Sequence, residues 1–599
     1  MSFPDLRTFL DRLRRDRDLV EVTARVDRVQ ETAEIHRRVV AAGGPALLFR
    51  NVNDADFPLV TNLFGTARRA ELAFGERPQR LIRRLVGLLE TALPPTPSKL
   101  WGARDVLGDL VSVGLRRGRR GPVTEVVTDE VRLDRLPAMT TWPEDGGPFI
   151  TLPIVLTEHP DGRGHNLGMY RLQIHDATTT GMHWQIGKGG GFHYDAAERG
   201  DHALPATVFL GGPPALILSA IAPLPENVPE LMLASLVAGQ RLPLVEGVGP
   251  HPLVASAEFA LMGAVPPRTR RAEGPFGDHY GYYSLRHDYP IFEVSQVARR
   301  RDAIFPATVV GKPRQEDFFI GDLLQELLSP LFPLVMPGVV DLWSYGETGY
   351  HSLAGAVVRQ RYSREAMVSA FRILGEGQLS LTKFLLVTDQ RVDLRDFKQT
   401  LVHVLERTNP KTDLYVVSCL SMDTLDYTGP EVNKGSKGVW LGLGPPVRTL
   451  PVEFHGADLP RDVTEVHVFC PGCLVIGGPA FDAAPRAAAR IALEPAFADW
   501  PLVILSDEPT RAVSSVMNFL WATFTRFEPA ADIYAAETTV ARHHLSYKPP
   551  IVIDARLKPS FPKELSCRPD IATRVTNRWT EYFPAGGVEM GDSEKASLS

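Results

Sequence analysis

The chain has 599 residues, of which 44% are hydrophobic and 23% charged, and its formal net charge is −6 at pH 7. These values are typical of a soluble globular protein, and the length predicts several domains. Because 65 basic residues nearly balance 71 acidic ones, charge gives no case for a nucleic-acid partner. Four cysteines exclude a disulfide framework and indicate a reducing compartment.

The opening residues, MSFPDLRTFLDRL, contain acids and lack the apolar core of a signal peptide. No apolar stretch is expected to reach the roughly 18 residues that a membrane span needs. We therefore expect a cytoplasmic protein, and peripheral contact with a membrane stays open.

The order of elements predicts an α/β protein with a β-rich centre. Leu6, Phe9, Leu10 and Leu13 have helical spacing, and short apolar runs alternate with helical stretches up to residue 120. Strand-like segments separated by Gly/Pro turns then predict a split β-barrel. We expect an N-terminal α/β domain (1–120), a barrel domain (121–315), a C-terminal α/β domain (316–585) and a disordered polar tail (586–599).

The C-terminal part contains an internal repeat. Residues 385–417 parallel the segment that begins at Leu502, and each copy predicts a strand, a helix and a second strand. The corresponding positions are Asp389 and Asp507, Pro410 and Pro529, and Asp413 and Asp532. Such a duplication is a scaffold feature. Cys470-Pro471-Gly472-Cys473 lies between the two copies, and without a second pair at zinc spacing we favour a structural role over metal or redox chemistry.

The stretch EGPFGDHYGYY (273–283) places two acids, Glu273 and Asp278, on a loop stiffened by Gly and Pro. The aromatic residues around them predict raised carboxyl pKa values, and hence a proton donor near neutral pH. A solvated surface turn is the alternative interpretation of this stretch.

Further polar residues cluster between 165 and 230. The segment HNLGMYRLQIHD brings Asn166 and Arg171 close together in sequence, and TGMHWQIGKGGGFHY (180–194) sets Lys188 among glycines that free backbone N–H groups for a phosphate. Glu230 ends a proline-punctuated loop. Amide and carboxylate oxygens suit Mg²⁺ or Mn²⁺.

Together these segments resemble the UbiD family of decarboxylases, which use prenylated flavin mononucleotide (FMN). The resemblance covers about residues 3–570, and NLGMYR, TGMHWQ…KGG, P-x-P-E-x-V-x-E and EGPFGDHxGYY occur in the family's order. It implies that Arg171, Glu273 and Asp278 form the catalytic triad. Asp278 is then the expected donor of the proton that replaces CO₂, while Glu273 stays charged.

The resemblance also implies the cofactor set: prenylated FMN, a divalent metal (Mn²⁺ or Mg²⁺) on its phosphate, and a potassium ion. The implied metal ligands are Asn166 and Glu230. The implied flavin contacts are Met169, Tyr170, Arg171, His183, Trp184, Gln185, Lys188 and Gly189. Many family members have a histidine ligand where this chain has Gly187. Either His183, His193 or water takes that place, or the metal binds more weakly. Ordinary hydrogen-bonded roles for both histidines stay open.

The implied reaction is non-oxidative decarboxylation of a hydroxylated aromatic acid, because the electron pair left by CO₂ needs a cofactor as its sink. The length and the repeat favour a 1,4-dihydroxy-6-naphthoate-type precursor of menaquinone, with a 4-hydroxybenzoate-type precursor of ubiquinone as the alternative. The competing functions are an ordinary flavin oxidoreductase and a non-catalytic subunit of a carboxylase complex.

The implied partners are a flavin prenyltransferase that supplies the cofactor and a second copy of the chain, bound through the C-terminal domain. Lys383 resembles a lysine on the phosphate side of the flavin. The segment 426–438 resembles a loop that lines the pocket, and it is equally compatible with a plain surface loop.

Overall fold

The computed structural model describes residues 3–92, 113–184, 189–222, 229–312, 314–456 and 459–593. It is a mixed α/β protein with several sheets, as predicted. The chain divides into two compact units, residues 1–327 with 564–596, and residues 328–563. The predicted boundaries at 120, 315 and 585 stay predictions.

The strands of the first unit are β1 (Leu19–Val26), β2 (Ala46–Val52), β3 (Leu59–Thr61), β4 (Leu115–Gly118), β5 (Val126–Thr128), β6 (Phe149–Ile150), β7 (Ile154–Glu158), β8 (His165–Gly168), β9 (Leu172–Gln173), β10 (Thr179–Gly181), β11 (Leu204–Leu210), β12 (Leu242–Val245), β13 (Leu253–Val254), β14 (Phe259–Val265), β15 (Arg270–Glu273), β16 (Phe276–Gly277), β17 (Tyr283–Ser284), β18 (His287–Arg299) and β19 (Phe305–Pro306). Its helices are α1 (Leu6–Arg15), α2 (Glu31–Ala41), α3 (Ala67–Phe74), α4 (Arg77–Ala92), α5 (Gly189–Arg199), α6 (Pro214–Ile221), α7 (Glu230–Ala238), α8 (Glu316–Leu328) and, near the C-terminus, α17 (Pro569–Tyr582).

An antiparallel sheet in the order β10-β18-β14-β11-β7-β8 forms the centre of the first unit. Successive residues of its strands enter two different cores: Val208 and Leu261 pack into one, and Phe209 and Met262 into the other. The two edge strands β8 and β10 are joined by a short piece of chain that folds back on itself, since Ile174 pairs with Thr180 of β10 and the His183 N–H donates to Arg171 O at 3.3 Å. This fold-back brings Arg171 and His183 close together.

The C-terminal segment belongs to the first unit. Helix α17 packs on α2, and the Tyr582 hydroxyl donates to Glu31 Oε1 at 2.6 Å. Part of the tail predicted to be disordered is described and contacts the same helix: Gly591 N–H donates to Arg38 O at 3.1 Å. The remaining tail, 594–599, lies outside the described residues.

One helical segment of the described chain, Glu316–Val335, is 20 residues long and by length and composition could cross a membrane. The expectation that no such stretch exists is therefore wrong here. Composition of this kind is shared with core helices, and Leu323, Leu324 and Leu327 pack against a core of the first unit.

The strands of the second unit are β20 (Val339–Ser344), β21 (Leu353–Val358), β22 (Phe384–Thr388), β23 (Leu414–Ser421), β24 (Lys434–Gly442), β25 (Glu465–Cys470), β26 (Cys473–Gly477), β27 (Leu502–Ser506), β28 (Ile533–Ala541) and β29 (His544–Asp554). Its helices are α9 (Phe332–Val335), α10 (Glu365–Ile373), α11 (Phe397–Arg407), α12 (Pro410–Asp413), α13 (Ala487–Ile491), α14 (Pro509–Val513), α15 (Val516–Phe524) and α16 (Pro529–Asp532).

The structure confirms the repeat. One sheet has the order β20-β21-β22-β24-β23 and the other β25-β26-β27-β29-β28. In both sheets, the first and last pairs of neighbouring strands are antiparallel, and the two middle pairs of strands are parallel. Cys470 and Cys473 face each other across the β25–β26 hairpin and are both buried, which agrees with a structural role.

Lys383 pairs with a carboxylate of the second unit, and its predicted place beside a phosphate stays a prediction. Its Nζ lies 2.7 Å from Asp426 Oδ2, and the two side chains are 1% and 2% exposed. Ser436 and Lys437 are also buried. The segment 426–438 is thus buried at both ends, while residues 430–432 and Lys434 in its middle are exposed. Its predicted place in the pocket stays a prediction.

Candidate active site

The Arg171 side chain forms ion pairs with both acids of the 273–283 loop. Its Nε donates to Glu273 Oε1 at 3.0 Å, one terminal nitrogen pairs with Asp278, and the other donates to Ser284 Oγ at 3.1 Å. The Phe276 ring lies 4.5 Å from the guanidinium carbon. The two carboxylates face one planar cation, so the solvated-turn interpretation is wrong.

The local sequence explains this convergence. Glu273 ends β15, which pairs with β18, and the next residues form the β16–β17 hairpin. The turn at 142–145 supports that hairpin, because Gly277 N–H donates to Asp145 Oδ1 at 2.8 Å. A side chain at Gly277 would place its Cβ 2.0 Å from Trp142 Cδ1. The glycine lets the loop lie directly on the tryptophan.

The predicted rise in carboxyl pKa is wrong for both acids. Burial alone would raise the pKa of Glu273, but the hydrogen bond from His183 and the charge of Arg171 lower it overall. Burial likewise opposes ionisation of Asp278, and Arg171 together with a hydrogen bond from His279 lowers its pKa well below the usual range. The nearby cation and donors outweigh desolvation, so both groups are carboxylates at neutral pH.

His183 and His193 have hydrogen-bonded roles. His183 Nδ1 lies 2.8 Å from Glu273 Oε1, and burial, followed by Arg171, lowers the pKa of the imidazole. A neutral ring donates from Nδ1 to the carboxylate. His193 Nδ1 lies 2.9 Å from Thr157 Oγ1. The second carboxylate oxygen of Glu273, Oε2, is buried and accepts no hydrogen bond from the described residues.

Asn166, Tyr170 and Glu230 form a second cluster. Asn166 Nδ2 donates to the Tyr170 hydroxyl at 3.2 Å, so the amide oxygen points elsewhere, and the carboxylate of Glu230 lies close enough to act on the pKa of Tyr170. Glu230 Oε2 is buried and unpartnered among the described residues. An amide oxygen and a carboxylate are hard donors of the kind that a divalent cation prefers.

The start of α5 fits a phosphate. The Gly190 N–H donates to the Tyr170 hydroxyl at 3.2 Å, and a Cβ at Gly189 would lie 2.1 Å from Asn166 Oδ1. Helix N-termini with glycines bring backbone N–H groups close to anions. Trp184 Nε1 is buried without a partner in the described part of the chain, and Met169 packs against a core.

The structure does not describe all predicted site residues. Gln185, Gly187 and Lys188 lie outside the described ranges, so their predicted contacts stay predictions. Within those ranges, no group of three or more His, Cys, Asp or Glu is placed to hold a metal. The prediction that Asn166 and Glu230 bind a divalent metal therefore stays a prediction.

Sequence reasoning missed Ser284, Asp145 and Trp142. Ser284 directly follows the GYY segment and could have been found by extending it by one residue. Asp145 and Trp142 lie more than 130 positions before the hairpin that they support, and no local signal connects the two segments.

Family models match nearly the whole first unit and part of the second. They are the N-terminal domain of 3-octaprenyl-4-hydroxybenzoate carboxy-lyase over residues 10–89, its Rift-related domain over 116–313 and its C-terminal domain over 318–442. A Chlamydia pneumoniae protein, named as a subunit of 4-hydroxybenzoate decarboxylase, is 50% identical over 586 residues, 98% of this chain and 99% of that one. This chain belongs to the UbiD family.

Solved structures of UbiD-class enzymes have the same fold. The closed form of vanillic acid decarboxylase from Sedimentibacter hydroxybenzoicus is 24% identical with a TM-score of 0.66, and covers 77% of this chain and 96% of its own. HmfF from Pelotomaculum thermopropionicum, in complex with FMN, is 23% identical with a TM-score of 0.62, covering 76% and 97%. This UbiD-family protein is an aromatic acid decarboxylase, a carboxy-lyase.

Proposed function

We propose that this UbiD-family protein removes the ring carboxylate of a hydroxylated aromatic acid of the 1,4-dihydroxy-6-naphthoate type, with Arg171, Glu273 and Asp278 as its catalytic residues. The observation that carries the proposal is the Arg171 guanidinium held between two buried carboxylates. A planar fork of this kind suits an incoming carboxylate. The name of the Chlamydia pneumoniae relative favours 4-hydroxybenzoate as the second candidate substrate, and its description as a subunit favours work within a complex.

Prenylated FMN, when bound, supplies the electron sink for loss of CO₂. Asn166 and Glu230 would hold a divalent metal, and the glycines at the start of α5 would face the phosphate. Arg171 binds and orients the substrate carboxylate. Glu273, ionised and hydrogen-bonded to His183, keeps the guanidinium in place.

Asp278 donates the proton that replaces CO₂. In the resting protein Arg171 keeps it ionised. A substrate carboxylate adds a third negative charge beside Arg171 and competes for its nitrogens, so the pKa of Asp278 rises on binding. The donor is thus charged at rest and takes up a proton when substrate arrives.

The test measures CO₂ release from both acids by protein co-expressed with a flavin prenyltransferase. Asp278→Asn should lower turnover by at least about 100-fold, within the range that general acid catalysis contributes, and should retain the bound-flavin spectrum. The matched control is Asp161→Asn, because the Asp161 side chain is 60% exposed. Unchanged turnover in Asp278→Asn would show that another group is the donor, and NAD(P)H-dependent turnover would favour an oxidoreductase.

A further inference from the structure

Two buried polar atoms of the site border the same small space beside Gly181. Glu273 uses Oε1 for both Arg171 and His183, at 3.0 and 2.8 Å. Its Oε2 and the Nε2 of His175 are closed off from solvent, and neither forms a hydrogen bond with the described residues. A Cβ on Gly181 would lie 2.7 Å from Glu273 Oε2 and 3.4 Å from His175 Nε2. The carboxylate oxygen and the imidazole nitrogen are therefore neighbours across this glycine.

A tight turn between β9 and β10 brings His175 to this place. The His175 N–H donates to Thr179 O at 3.0 Å, and Ile174 pairs with Thr180. Strand β10 then ends at Gly181, where the missing side chain leaves room between the two polar atoms. His175 as a whole is only half-buried, while its Nε2 is fully buried. The imidazole thus extends from a surface turn to the buried carboxylate.

The two atoms have complementary hydrogen-bonding chemistry. Glu273 is ionised, so its Oε2 can only accept. Burial, followed by the charge of Arg271, lowers the pKa of the His175 imidazole, although Glu273 and Asp176 act in the opposite direction. The ring is therefore neutral at neutral pH and carries one N–H group. A buried carboxylate oxygen that accepts no hydrogen bond is costly, and a buried water molecule commonly connects such groups.

We propose that His175 is a positioning residue for Glu273, donating from Nε2 to Oε2 through one water molecule in the space beside Gly181; this inference rests on the function proposed above. Arg171 and His183 hold one oxygen of the carboxylate, and the bridge holds the other. A carboxylate held at both oxygens cannot rotate about its Cγ–Cδ bond, so Oε1 stays on the guanidinium that binds the substrate. The turn between β9 and β10 thus contributes to the orientation of the substrate carboxylate.

The first test is a double-mutant cycle on the thermal stability of the holoenzyme, which does not depend on turnover. His175→Leu removes the donor and should lower the apparent melting temperature. In a Glu273→Gln background the same change should have a much smaller effect, because the charge that needs the bond is gone. His287 is the competitor, since it lies opposite Glu273 in the β15–β18 ladder. Equal effects of His175→Leu in the two backgrounds, or coupling of His287→Leu in its place, would overturn the assignment.

The second test measures kcat/KM for CO₂ release. His175→Leu should lower it by about tenfold, because small displacements of a catalytic group are costly, and should retain the bound-flavin spectrum. His175→Gln keeps an N–H donor at a similar reach and should restore most of the loss. Gly181→Ala places a methyl group in the bridging space, so adding His175→Leu to it should bring no further loss. The matched control is His467→Leu in the second unit, where Nε2 lies 2.7 Å from Glu465 Oε2.

A merely structural role for His175 would lower kcat/KM in His175→Gln as well, and its loss would add to that of Gly181→Ala. Wild-type kcat/KM in His175→Leu, while Glu273→Gln is inactive, would overturn the positioning role and leave the proposed function intact. If Glu273→Gln itself turns over normally, the proposed catalytic role of Glu273 is wrong.

Discussion

At the scale of single residues, the site has an excess of negative charge. Arg171 faces Glu273 and Asp278, and His183 is neutral, so the resting cluster carries one cation against two carboxylates. Burial of unbalanced charge is costly unless hydrogen bonds satisfy it, and Ser284 and His279 contribute to this. In the proposed reaction a substrate carboxylate adds a further negative charge, so we expect proton uptake to accompany substrate binding.

Asp317 should lower the stability of the protein at neutral pH. Burial raises its folded-state pKa to about 7, above the usual unfolded value of about 3.9. A raised pKa contributes stability that is fully present below the unfolded pKa and is lost as pH rises through the folded pKa. The side chain in Asp317→Asn cannot ionise, so this variant does not lose stability in this way as pH rises. Its apparent melting temperature, compared with that of the wild type, should therefore increase from pH 5 to pH 8.

The wild type and Asp317→Asn share all other titrating groups, so the contributions of those groups cancel in the difference between the two melting temperatures. A difference in melting temperature that is constant between pH 5 and pH 8 would show that Asp317 is ionised in the folded protein.

At the scale of elements, the β16–β17 hairpin, which contains the loop of the proposed proton donor, depends on the turn at 142–145, which contributes no residue to the proposed catalytic set. Asp145 Oδ2 accepts from the backbone N–H groups of Thr141 and Trp142, both at 2.8 Å, and Oδ1 accepts from Gly277. The same carboxyl thus shapes the turn and fixes the hairpin. The position of Asp278 follows from this support.

Gly277→Ala tests that support. The new methyl group would lie 2.0 Å from Trp142 Cδ1, far inside van der Waals contact, so the hairpin or the indole has to move. We expect kcat to fall by roughly 10- to 100-fold, because small displacements of a catalytic group are costly, with flavin still bound. Gly118→Ala is the control, since its Cβ would meet nothing closer than 3.7 Å. Wild-type activity in Gly277→Ala would show that the hairpin tolerates displacement.

The sequence predicts which residues meet at the site better than it predicts their charge states. Arg171, Glu273 and Asp278 were found from local motifs that the family keeps in order. The direction of the carboxyl pKa shifts depends on the approach of Arg171, about 100 positions earlier, and aromatic neighbours alone gave the wrong sign. In the same way, nothing near α17 in sequence indicates that it packs on α2, which lies more than 500 positions away.

At the scale of the whole molecule, the second unit is built as a pair of equivalent halves. Helix α12 of the first repeat packs against β29 of the second, and α16 of the second packs against β24 of the first. This exchange of equivalent contacts is the pattern of a two-fold interface between identical subunits. Aromatic rings fill it: Phe397 lies 5.8 Å from Phe519, and Phe384 lies 5.6 Å from Phe527.

The matched family models end at residue 442, so the second repeat lies beyond them. Its sheet nevertheless repeats the strand order and directions of the first. Each half supplies the surface that covers the other. The interface should therefore persist when the chain between the repeats is cut.

This can be tested with a protease site inserted after His455, whose side chain is 80% exposed. After cleavage the two fragments should elute together in native size-exclusion chromatography and separate only on denaturation, because the buried rings hold them as a core would. Phe527→Ala removes one ring that contacts Phe384 and should promote separation, since truncating a buried phenylalanine costs about 3–5 kcal/mol. Val540→Ala, at a position 68% exposed, should not. A C-terminal fragment that elutes alone without any substitution would show that the covalent connection, and not the reciprocal contact, holds the halves together.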